Sequence, residues 1–209
     1  MVSSNPEHPA QQPTTAEGSP IAPVWNLPNV LTMLRIAMVP VFVVLLWQDT
    51  TATDLGALVV FLLAAATDKL DGTIARRRGI VTNFGKIADP FADKLLTGAA
   101  MVVLAVLGVM PWWAVIVIQV REVGITVLRF VMARRSVIAA SNGGKLKTVL
   151  QVVFLAMMML PAVALFGSPF GDWWETAAYV IMLLATAVTI VTGVDYCWRA
   201  WRIARDQKQ

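Results

Sequence analysis

Residues 67–93 read TDKLDGTIARRRGIVTNFGKIADPFAD. Four aspartates, Asp68, Asp71, Asp89 and Asp93, stand at the edges of two otherwise apolar segments. The first pair is three residues apart and the second four, so on helices each pair shares one face and the four carboxylates can aim at one point. Hard oxygen donors of this kind suit Mg²⁺ or Mn²⁺, ions that keep water and bridge substrate phosphates. The competing reading makes the aspartates helix caps, or part of a solvated loop beside Arg76, Arg77 and Arg78. Carboxylates recurring at helical spacing inside membrane segments are expensive, which favours the functional reading. Gly72 and Ala75 fall on the carboxylate face, where small side chains leave room for close approach to the backbone, and Arg76 offers a planar donor fork for phosphate.

The fixed positions are Asp68, Asp71, Gly72, Ala75, Arg76, Gly85, Asp89 and Asp93. This string resembles, at every one of them, the signature of the CDP-alcohol phosphatidyltransferase family. Eight specified residues at set spacing make a far more specific signal than a short glycine pattern. The resemblance implies an integral membrane enzyme that displaces CMP from a CDP-linked lipid with an alcohol. It also implies two divalent ions, with Asp68, Asp71, Asp89 and Asp93 as ligands and Asp93 as general base as well. By the same resemblance Gly72, Ala75, Arg76 and Gly85 contact the CDP moiety, and the enzyme is a homodimer.

Composition agrees with a membrane protein. Of 209 residues 57% are hydrophobic and only 14% charged, which does not describe a soluble core. One cysteine, Cys197, excludes an internal disulfide framework, and one histidine, His8, leaves acid–base work to carboxylates. The net charge of +4 is modest and falls mostly on one set of loops, so nucleic-acid binding explains it poorly.

Residues 1–24 are rich in Pro, Gln, Ser, Thr and Glu and are expected to form a disordered cytoplasmic tail, without the basic-then-apolar start of a signal peptide. The membrane domain is expected to span 25–209. Asn26, Pro28 and Asn29 mark a helix start, followed by an apolar run to Trp47 broken only by Arg35. The early part of that run is expected to lie along the interface, with Arg35 either a snorkelling anchor or a phosphate contact. Further spans are expected at 55–67, running on into the motif, then at 87–110, 111–135, 148–166 and from 173 to about 198. The fold expected is therefore all-α, a bundle of six transmembrane helices.

Arg121 and Glu122 fall near the middle of the fourth span, with Arg129 two turns on, where charges must pair or line a wet cavity. Glu122 has the alternative of a structural pair with an arginine. Asn142, Gly143 and Gly144 read as a turn before Lys145, Lys147 and Thr148 at a helix start, a place suited to an anion or to a plain basic loop. The RE…LR and GKLKT strings resemble the bacterial branch of the family that forms phosphatidylglycerol phosphate. That implies transfer of a phosphatidyl group from CDP-diacylglycerol to sn-glycerol 3-phosphate, with Arg121, Arg129, Lys145 and Lys147 on the acceptor's phosphate. Sister reactions using inositol phosphate or phosphatidylglycerol share the aspartates, and a cation transporter would use intramembrane carboxylates too. The basic loops at 76–86 and 134–147 and the basic C-terminus contrast with neutral or acidic links at 48–54, 110–112 and 167–175. Positive charge on one side predicts a multi-pass protein of the cell membrane with both termini cytoplasmic.

Overall fold

The computed structural model describes residues 27–78, 83–132 and 142–206, with side chains described over 29–67, 91–128 and 146–203 and at Arg205. The tail at 1–24 and the loop segments at 79–82 and 133–141 lie outside the described residues. Those described form seven helices and no strand: α1 Leu27–Trp47, α2 Thr51–Arg78, α3 Asn83–Val106, α4 Trp112–Met132, α5 Asn142–Met159, α6 Ala162–Phe166 and α7 Phe170–Asp206.

Along α1 the buried positions are Asn29, Thr32, Arg35, Val39, Phe42 and Leu46. These steps of three and four residues keep one face against the bundle. The stripe is polar in its first half and apolar in its second. On α2 the matching face is Ala57, Phe61 and Ala64. The small residues let the helices close, and Phe61 meets Phe42 with ring centroids 6.0 Å apart. Helix α3 lies against α1, and α5 and α4 lie against the long α7.

The third helix starts earlier and stops sooner than the sequence suggests. It ends at Val106 because Gly108, at φ +77°, takes the left-handed conformation open to glycine. The Val109 N–H then donates to the Leu104 carbonyl at 2.9 Å and Gly108 to Ala105 at 3.2 Å, a Schellman closure.

The fifth span is not one helix. Pro161 lacks an N–H and crowds the carbonyl four residues back, so α5 stops at Met159 and α6 restarts at Ala162. The carbonyl of Met157 is taken up by the indole N–H of Trp174 on α7, at 3.0 Å. The turn expected at Asn142 to Gly144 is instead the first turn of α5. Helix α7 begins at Phe170 and runs to Asp206, beyond the expected end near residue 198.

Segments Asn29–Trp47 and Phe170–Ile203 are long and apolar enough to cross a bilayer. The apolar runs of α2 and α5, Thr51–Thr67 and Leu146–Met159, are shorter.

Candidate active site

The motif falls on two packed helices, α2 and α3, joined by a four-residue link at 79–82. Asp71 lies seven residues before the end of α2 and Asp89 six after the start of α3. At 1.5 Å per residue those positions are roughly 10 and 9 Å from the link, and Asp68 and Asp93 are both roughly 15 Å from it. The register therefore matches the aspartates level by level. Gly72, Ala75 and Arg76 occupy the closing turns of α2, and Gly85 the opening turn of α3. The side chains of Asp68, Asp71, Gly72, Ala75, Arg76, Gly85 and Asp89 lie outside the described set, as do those of Arg129 on α4 and Lys145 on α5. Asp93 is half-buried, and the Thr97 hydroxyl donates to its backbone carbonyl at 3.0 Å.

Around this level the bundle interior is polar. Asn29, Thr32 and Arg35 of α1, Thr97 of α3, Glu122 of α4, Lys147 and Gln151 of α5, and Thr186 and Thr189 of α7 are all buried. Asn29, Thr32 and Arg35 in the first half of α1 and Lys147 near the start of α5 lie toward the motif end of the bundle, and Thr97, Glu122, Gln151, Thr186 and Thr189 fall near the middle of their helices. Arg35 is only 1% exposed, so its side chain is directed inward and is not a snorkelling anchor. The signal for this interior was present in the sequence as the step Asn29, Thr32, Arg35 along an apolar helix. The threonines of α7 were read only as part of an apolar run.

Glu122 does not pair with Arg121. Neighbouring positions on a helix point about 100° apart, and the two side chains go different ways. The Arg121 guanidinium donates to the Thr192 hydroxyl of α7 at 2.8 Å. Its stem passes over Gly193, where a Cβ would sit 3.0 Å from the Arg121 Cγ. Arg121 thereby lines an apolar groove of about 730 Å³ between α4 and α7. The Glu122 carboxylate instead accepts from Lys147 at 2.7 Å and lies 3.5 Å from the ammonium of Lys94. Lys94, directly after Asp93, was missed because it belongs to no motif position.

The donor set fits a divalent metal in chemistry and in register: four carboxylates on two packed helices at two matched levels. Among residues with described side chains there is no other cluster of three acidic, histidine or cysteine groups able to hold a metal.

A family model for CDP-alcohol phosphatidyltransferase matches residues 25–191. A probable phosphatidylglycerophosphate synthase of Mycobacterium tuberculosis is 44% identical over 194 residues, which cover 91% of this chain and 89% of that protein. A CDP-diacylglycerol–glycerol-3-phosphate 3-phosphatidyltransferase of Bacillus subtilis is 35% identical over 193 residues, 85% of this chain and 96% of its own. The protein of that name from Escherichia coli is 34% identical over 178 residues, 82% and 93% of the two chains.

Proposed function

Because the chain belongs to the CDP-alcohol phosphatidyltransferase family, we propose that it transfers a phosphatidyl group from CDP-diacylglycerol to sn-glycerol 3-phosphate, yielding phosphatidylglycerol phosphate and CMP. It is a membrane-bound, all-helical transferase of phospholipid biosynthesis. The observation that carries the reading is the complete aspartate motif distributed over α2 and α3 in matched register.

Asp93 takes the proton from the acceptor hydroxyl, whose oxygen forms the new bond to the lipid-side phosphorus as the bond to CMP breaks. Asp68, Asp71 and Asp89, with Asp93, would hold two Mg²⁺ or Mn²⁺ ions. Bound there, such ions neutralise charge on the diphosphate and on departing CMP. Gly72, Ala75 and Gly85 admit the CDP moiety close to the backbone, and Arg76 binds its phosphate. Arg121, Arg129, Lys145 and Lys147 supply the positive charge for the acceptor's phosphate.

The helices α1, α2, α3, α4, α5 with α6, and α7 make six crossings, with the motif end cytoplasmic and both termini on that side. The working form is a homodimer. The deciding experiment uses purified full-length protein in mixed micelles with CDP-diacylglycerol and radiolabelled glycerol 3-phosphate. CMP and labelled lipid should appear together, and only with Mg²⁺ or Mn²⁺ present. CMP release with inositol phosphate but not with glycerol 3-phosphate would reassign the acceptor.

A further inference from the structure

Lys94 stands outside the eight-residue pattern, yet it ties the helix carrying Asp93 to α4. Its ammonium donates to the Glu122 backbone carbonyl at 2.9 Å and lies 3.5 Å from the Oε2 of the same residue. Lys147 donates to the other carboxylate oxygen at 2.7 Å. One carboxylate thus faces two ammonium groups, and the trio keeps one positive charge in excess.

The two lysines are not equivalent. The Lys147 side chain is 9% exposed and Lys94 29%. Lys147 is inside the bundle with Glu122 as its counter-ion. The contact from Lys94 to Oε2 is longer than a good hydrogen bond, so the carboxylate neutralises it less completely. A clamp serving the fold alone is already made by Glu122 and Lys147. What Lys94 adds is a partly exposed cation next in sequence to the expected general base, held by a bond to a carbonyl and not free to wander.

We propose that Lys94 is a direct ligand of the acceptor's phosphate and that Glu122 is the positioning residue that holds Lys94 and Lys147 toward that anion. This rests on glycerol 3-phosphate being the acceptor. Lys94 leaves α3 about 100° round the helix from Asp93, so an acceptor with its hydroxyl at Asp93 reaches Lys94 only with its other end, which is where the phosphate lies. A charged donor fixed in advance loses less freedom when the anion arrives.

The test is binding of radiolabelled glycerol 3-phosphate to the purified full-length protein without donor, together with kinetics in which both substrates are varied. Lys94→Ala should weaken acceptor binding and raise the acceptor's apparent KM about ten-fold or more. The KM for CDP-diacylglycerol should change by less than about two-fold, and Lys94→Arg, which keeps the charge, should recover part of the loss. Glu122→Gln strands Lys147 without its anion and costs stability, so its contribution is read from the folded fraction as a double-mutant cycle. In the Lys94→Ala background it should change acceptor KM by less than about two-fold beyond its effect through Lys147→Met.

Unchanged acceptor binding in Lys94→Ala, or an equal loss for both substrates, overturns the proposal. If Lys94→Ala fails to fold, Lys94→Gln retains a donor for the Glu122 carbonyl, and the same outcomes decide. Wild-type protein that binds no glycerol 3-phosphate but transfers the phosphatidyl group to another alcohol, releasing CMP, overturns the acceptor assignment itself, a result distinct from a failure at Lys94.

Discussion

In the proposed mechanism Asp93 is the residue on which the chemistry turns, and that role separates cleanly from its place in the fold. It is half-buried on α3, and its backbone already satisfies the Thr97 hydroxyl. An amide in its place keeps size and helix but cannot accept the acceptor's proton and binds metal weakly. Asp93→Asn should therefore insert and fold as the wild type does while losing essentially all transferase activity. Turnover near the wild-type rate would remove Asp93 from the general-base role. Asp54, in the first turn of α2 beside the α1–α2 link, offers a test of a different kind. Burial, and then the nearby Asp49 carboxylate, raise its pKa above the usual 3.8. Because the folded-state pKa is the higher one, ionisation of Asp54 opposes folding above that window, and the opposition fades as pH falls through the raised value toward 3.8. Asp54→Asn should raise Tm at neutral pH, with the advantage over wild type shrinking as the medium is acidified. A constant difference across that range would show that the carboxylate's charge is not its cause.

At the scale of single helices, the junction of α5, α6 and α7 shows how a proline is absorbed. Pro161 breaks the span, and the Met157 carbonyl, which the Leu160 N–H reaches only at 3.3 Å, accepts from the Trp174 indole at 3.0 Å. Gly171 then lets α7 press on α6, since a Cβ there would fall within 2.7 Å of the Val163 backbone nitrogen. Trp174→Phe should lower stability by about 1 kcal/mol, the usual net worth of a hydrogen bond. Gly171→Ala should cost about 1–3 kcal/mol, because backbone cannot move aside as a flexible side chain would. Thermal unfolding of the purified protein in detergent reads both changes. Neither feature was legible beforehand, because a span that reads as continuous apolar sequence from 148 to 166 gives no sign of which neighbour will receive a freed carbonyl. The helices α1 to α4 were legible, because apolar runs and charged breaks fix their approximate limits. The aspartate positions were legible because their spacing is a property of one helix at a time. Pairings across helices were not. Glu122 was read against its neighbour Arg121, whereas its partners Lys94 and Lys147 come from α3 and α5 and could be found only once those helices were packed.

Taken whole, the bundle is polarised from end to end, and that polarity argues for its orientation in the membrane. At one end lie the motif, the buried Asn29, Thr32 and Arg35 of α1, and Arg199, Arg202 and Arg205 of α7. At the other, the α1–α2 link, the turn after α3, the α5–α6 break and the start of α7 enclose a cavity of about 460 Å³ edged by Asp49, Asp54 and Glu175. Basic at one end and acidic at the other is the charge bias that retains the basic end in the cytoplasm. Helix α7, with 37 residues, is roughly 55 Å long and exceeds a hydrocarbon core of about 30 Å. Its arginine-bearing turns can therefore emerge beyond the interface, with Arg202 and Arg205 lying over the rings of Trp198 and Trp201. The prediction is one of sidedness. Cys197 is exposed and must first be replaced by serine. In that background a cysteine at Gln48 should react with an impermeant maleimide added to intact cells, and one at Arg205 only after the membrane is opened. Both sites are exposed in the bundle, so folding does not hide either from the reagent. Labelling of both positions from the same face would contradict α7 and the α1–α2 link opening to opposite sides, and with it the placing of the active site toward soluble glycerol 3-phosphate.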